Sequence, residues 1–149
     1  MKLEDEIFNK AFESNYHKLV VNMVFTSNWM TNLLKKELDN FNVTLQQFNV
    51  LRILRGQQPK AASINLIKER MLDKMCDASR IVDRLEQKKL LTRVSNIKDK
   101  RSVDIFITEK GLDLLHVIKV EVAMNNILSK NISDTEAGQL NDLLDKLRG

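Results

Sequence analysis

Glycine and proline are scarce in this chain, four and one among 149 residues, together about 3% where average usage is roughly 12%. A sandwich or barrel needs a special turn every 8–12 residues or so, and these few breakers cannot supply them. The glycines stand at positions 56, 111, 138 and 149, so no glycine-rich phosphate loop can form. The one cysteine, Cys76, allows no internal disulfide. Long hydrophobic runs are also missing, which argues against a membrane span, and the acidic start Met-Lys-Leu-Glu-Asp-Glu does not read as a signal peptide. A cytoplasmic location is the expectation. With 43% hydrophobic and 30% charged residues the composition is globular, and a mostly helical protein is predicted.

The net charge of +4 is unevenly spread: residues 60–111 carry 13 Lys+Arg against 8 Asp+Glu, and the remainder is near neutral. A basic middle suggests an anionic partner for that part alone. Residues 16–38 place Tyr16, Leu19, Val20, Met23, Met30, Leu33, Leu34 and Leu38 on one face of a long amphipathic helix. Ile7, Phe8, Ala11 and Phe12 suggest a shorter helix before it. Thr44 to Gln47 is a capping box, opening a helix over about 44–55 with Gly56 just past its end. After Pro59, Ser63 caps a short helix carrying Ile64, Ile67 and Met71. Asp73 is expected to open the next helix, to about Lys88, with Met75, Ala78, Ile81, Val82 and Leu85 on one face.

The period then changes to that of strands: 91–95 and 103–107, joined by a polar, basic turn over 96–102, predict a hairpin. Thr108 caps a helix that can run to Ser129, and Ser133 to Glu136 is a second capping box before a closing helix with Leu140, Leu143, Leu144 and Leu147. The resulting fold class is mostly α (α+β), a winged helix-turn-helix with a two-stranded wing. A helix fits the major groove of DNA, and a basic hairpin reaches phosphates and the neighbouring minor groove. On the 73–88 helix, Cys76, Asp77, Arg80, Asp83 and Arg84 project away from the apolar face. Arg80 and Arg84 lie one turn apart. From periodicity alone, an ordinary solvated charge face of Arg80, Asp83, Arg84 and Glu86 is an equal alternative.

The run from Asp77 to Arg93, containing Asp-Arg-Leu-Glu at 83–86 and Leu-Leu-Thr-Arg at 90–93, is followed by Asp99-Lys-Arg101 and by Ile107-Thr-Glu-Lys-Gly111. In order and spacing these motifs resemble the MarR/SlyA family of winged helix-turn-helix transcriptional regulators. The resemblance implies a single domain over 1–149, with dimerisation helices at 1–40 and 109–149 and a DNA-binding lobe at 44–108. It implies a homodimer on double-stranded, pseudo-palindromic operator DNA, most often a repressor, released by a small-molecule effector or another signal. By position, Cys76, Asp77, Ser79, Arg80 and Arg84 would face the major groove and Arg101 the minor groove. Lys74, Lys98 and Lys100 would meet phosphates, and Ser63 could donate to another. Asp99 would brace the wing, with Arg93 as its partner. Tyr16, Phe25 and Trp29 are candidates for an effector pocket between the dimer helices and the lobe, core packing being the plainer reading of each.

Two departures from the family pattern stand out. The turn after the recognition helix, where the family places glycine, holds Lys89, and Asp77 puts an acid at the groove. A winged module that has lost DNA binding is therefore one alternative. A second is a redox sensor using Cys76, since a helix N-terminus with Lys74 nearby lowers a thiol pKa. His17, His116 and Cys76 make neither a metal-ligand spacing nor a catalytic pair, so no metal, cofactor, membrane association or enzymatic activity is expected.

Overall fold

The computed structural model describes residues 2–8, 11–96 and 102–149. Among these residues, eight helices and one hairpin follow in the order α1 (Leu3–Glu6), α2 (Asn15–Asp39), α3 (Leu45–Gln57), α4 (Ile64–Arg70), α5 (Ala78–Gln87), β1 (Leu91–Ser95), β2 (Val103–Ile107), α6 (Glu109–Val117), α7 (Val120–Leu128) and α8 (Asp134–Arg148). Polar side chains at their starts explain most of these helices. Thr44 accepts from the Gln47 amide while Gln47 returns a bond to the Thr44 amide, and Ser133 with Glu136 repeats the arrangement. Ser14, Ser63 and Thr108 cap α2, α4 and α6. Each such cap contributes on the order of 1 kcal/mol.

The lobe is built around α3, which buries Phe48, Val50, Leu51, Ile53 and Leu54. Ile67 of α4, Val82 and Leu85 of α5, and Leu91, Ile105 and Ile107 of the hairpin close over it. The strands pair antiparallel from Leu91 with Ile107 to Ser95 with Val103. Ala62 exchanges both backbone hydrogen bonds with Ile105, at 3.0 and 2.9 Å, and so holds the start of α4 against the sheet. The same core continues through Leu115, Ile118, Val120 and Met124 to Leu38 of α2.

Several helix ends differ from the sequence expectation. The short N-terminal helix is Leu3–Glu6, and Phe8 beyond it has a left-handed backbone. Gly56 lies inside α3 instead of after it. The expected 73–88 helix begins only at Ala78, because Asp77 is its cap, accepting from the Arg80 amide at 3.1 Å. Asp73 instead accepts from the Met75 amide at 3.0 Å in a tight turn, and Met75 is exposed, not on the core face. The 109–129 stretch breaks at Ile118 and Lys119. Ile118 and Val120, on either side of the break, are both buried.

α5 ends in a Schellman turn: the Lys89 amide donates to Glu86 O at 2.8 Å and the Leu90 amide to Leu85 O at 3.0 Å. This geometry requires a left-handed residue, and Lys89 adopts φ +60° without the freedom of glycine. Lys89→Gly is therefore expected to stabilise the protein by up to about 1 kcal/mol, the left-handed penalty being offset in part by the greater entropy of an unfolded glycine. Thermal melting at fixed protein concentration checks this. An unchanged or lower melting temperature would mean that the turn is not strained.

Candidate nucleic-acid interface

The exposed face of α5 carries Ser79, Arg80, Asp83 and Arg84. Its two acids are taken from below. Arg93 of β1 donates to Asp83 and lies 3.6 Å from Glu86. Arg80 and Arg84 thus have no ion-pair partner among the described residues. The acids brace α5 to the hairpin, and the two arginines are exposed. They line, with Thr44, Gln46 and Gln47 at the start of α3, a concavity of about 300 Å³. Those three α3 residues were not singled out in sequence, although their capping box marks a helix end.

The remaining expected residues fall in different places. The Asp77 carboxylate caps α5 through Oδ1, and the exposed residue lines the same concavity as Arg80 and Arg84. Cys76 is half-buried, its Sγ donating to Asp73 O at 2.8 Å and lying 3.4 Å from Met71 Sδ. Burial pushes its thiol pKa up, and the Asp73 and Asp77 charges add to the effect. This corrects the expectation of an activated thiol on the open helix face, because Cys76 precedes the helix and faces inward. Lys74 donates to Glu69 O at the end of α4. The Ser63 hydroxyl accepts from the Leu66 amide at 3.1 Å and is a cap.

Lys98, Asp99, Lys100 and Arg101 lie outside the described residues, so the expected Asp99–Arg93 pair does as well. The base of that hairpin is closed by the Asn96 amide donating to Ser102 O at 3.1 Å, and by Asn96 Nδ2 donating to both oxygens of Asp104.

Phe25 and Trp29 line one cleft of about 530 Å³, with Leu3, Glu6 and Lys130. Tyr16 is 82% exposed and does not line it. This cleft lies between α1, α2 and the α7–α8 turn, not between α2 and the lobe as expected. A different cavity of about 780 Å³ occupies the α2–lobe junction, with Lys35 and Asp39 from α2 facing Arg84, Gln87 and Lys88 of the lobe. No group of three His, Cys, Asp or Glu among the described residues could hold a metal ion. No helix among them is long and apolar enough to cross a membrane.

Residues 43–103 match the family model described as MarR family. The HTH-type transcriptional repressor MdtR of Bacillus subtilis (strain 168) is 34% identical over 76 residues, which is 51% of this chain and 48% of that protein. The chain spans only about half the length of the curated relatives it matches. Among solved structures, the S. aureus MepR–DNA complex superposes with a TM-score of 0.76 at 25% identity, covering 92% of this chain and 97% of that one. An organohalide-sensing transcriptional regulator in its 2,4-dichlorophenol-bound form gives a TM-score of 0.81 at 22% identity, covering 95% and 86%. The motifs of residues 77–111, the winged fold and the match over 43–103 agree, and over those residues the chain is similar to the MarR family.

Proposed function

We propose that this protein is a sequence-specific transcriptional regulator that binds DNA through the lobe at 44–108, acts as a homodimer through its terminal helices, and is a repressor released by a small effector or similar signal. The observation that carries the reading is the pair Arg80 and Arg84, exposed one turn apart on α5 while Arg93 occupies the neighbouring acids. Arginine pairs bidentately with guanine in the major groove. Lys74 and the basic residues Lys98, Lys100 and Arg101 add phosphate or minor-groove contacts that raise affinity without reading most of the sequence.

The terminal helices support a second copy of the chain. No residue of α8 is buried, and Leu140, Leu143 and Leu147 stand exposed with Tyr16, Leu19, Val20, Met23 and Val24 of α2. An isologous pairing would cover these faces and set the spacing of the two α5 helices, which must reach successive major-groove faces about 34–36 Å apart. The junction cavity gives an effector a direct route to that geometry, since Arg84 belongs both to its wall and to the exposed face of α5. An occupant that prefers the wrong helix spacing would shift the dimer away from DNA. The dichlorophenol-bound neighbour supports a ligand of small aromatic type.

The test is equilibrium binding to a duplex enriched from a random pool, at two salt concentrations, alongside light scattering. Binding that weakens steeply with salt, by a power near 0.9 per phosphate contact, and a mass about twice 17.3 kDa are expected. No binding even at low salt would overturn the reading. The case for a winged module without DNA binding leans on Asp77 and on the modest net charge of +4, and the cap role gives Asp77 a local purpose.

A further inference from the structure

The turn between α4 and α5 divides its apolar side chains in an unusual way. Met71 is buried at 1% exposure and Cys76 is half-buried, yet Leu72 and Met75 stand 84% and 94% exposed. Nothing else large and apolar in the described part of the lobe is left so open. Their outward direction is held by hydrogen bonds: the Leu72 amide donates to Asn49 Oδ1 at 3.0 Å, the Met75 amide to Asp73 Oδ1 at 3.0 Å, and Cys76 Sγ to Asp73 O. Met75 stands two residues before the Asp77 cap, at the leading end of α5. In helix-turn-helix docking it is this end that reaches the base edges. Exposed Lys74, Arg80 and Arg84 accompany it, so the surface offers an apolar tip within a cationic rim. A major groove has the complementary pattern, phosphate walls around a floor whose apolar feature is the thymine C5 methyl.

Resting on the DNA-binding reading above, we infer that Met75, with Leu72 three residues earlier, contacts thymine C5 methyl groups and makes this protein select sites by them. The flexible thioether side chain fills an irregular apolar contact well. Burying one methyl is worth roughly a fourfold change in affinity.

The test uses the full-length protein and the duplex enriched from a random pool, with each thymine replaced singly by deoxyuridine, which lacks only the methyl. For the native protein, one or two positions per half-site should weaken binding roughly fourfold each. Met75→Ala should bind thymine and deoxyuridine duplexes alike at one of those positions, with an unchanged melting temperature because its side chain is exposed. Arg80→Ala should lower affinity for both duplexes and keep their ratio. Sequence-selective binding that is indifferent to deoxyuridine everywhere, or a Met75→Ala protein that retains the discrimination, would overturn the inference while leaving the DNA-binding reading intact. A halved light-scattering mass for Met75→Ala would overturn it too, by placing the residue in a protein contact. Failure of the native protein to bind any duplex would remove both.

Discussion

Arg80→Ala is expected to remove sequence-specific DNA binding while leaving the fold unchanged. The side chain is exposed and has no ion-pair partner among the described residues, so its loss should alter stability by no more than about 0.5 kcal/mol. A good bidentate contact to guanine is worth about 1–3 kcal/mol, and a dimer makes it twice. The affinity for an operator should therefore fall by roughly thirtyfold to twenty-thousandfold. Arg80→Lys separates charge from geometry. Lysine keeps the attraction to phosphates but presents no planar fork, so the salt dependence should persist while discrimination among sequences declines. Binding curves on the selected duplex and a scrambled one read both effects. If Arg80→Ala bound both as the native protein does, α5 would not be the reading element.

Gly111→Ala should destabilise the protein, against what helix propensity alone would say. Alanine is favoured over glycine in a helix by about 1 kcal/mol, and Gly111 lies in the first turn of α6. A Cβ there, however, would stand 2.3 Å from Leu90 O and 2.7 Å from Ile107 Cγ1. The Leu90 carbonyl cannot simply retreat. It accepts from the Thr108 amide at 3.2 Å, Lys89 O accepts from the Thr108 hydroxyl at 2.9 Å, and Lys88 O accepts from Lys110 Nζ at 2.9 Å. The turn leaving α5 is thus strapped to the start of α6, and overpacking it should cost about 1–3 kcal/mol net. The melting temperature, compared at fixed protein concentration, should drop by roughly 2–4 °C per kcal/mol. DNA affinity should fall with it, since displacing this turn moves α5. Gly138, in α8 with nothing within 4 Å of a built Cβ, is the control: alanine there should be neutral or stabilising. A neutral Gly111→Ala would mean that the strap yields at no cost.

What could be read from the sequence is what depends on neighbours along the chain. Thr44 with Gln47 and Ser133 with Glu136 announced two helix starts because a cap and its partner stand three residues apart. The strands at 91–95 and 103–107 followed from their residue types and the polar turn between them. The family resemblance marked the turn at Lys89 as a departure and left its conformation open; the backbone there is left-handed. The tertiary structure decided wherever two local solutions were equally good or a distant partner intervened. Asp73 and Asp77 can each cap a helix, and packing of Met71 and Cys76 against the lobe gave the cap to Asp77, leaving Met75 outside. The pairing of Arg93 with Asp83 and Glu86 spans a helix and a strand. It freed Arg80 and Arg84, which no periodicity could foretell. The same holds at Gly111, whose need for an absent side chain comes from Leu90, distant in sequence and touching in space. Hydrogen bonds between near neighbours are written in the order of residues, whereas contacts across the core exist only once the chain has closed on itself.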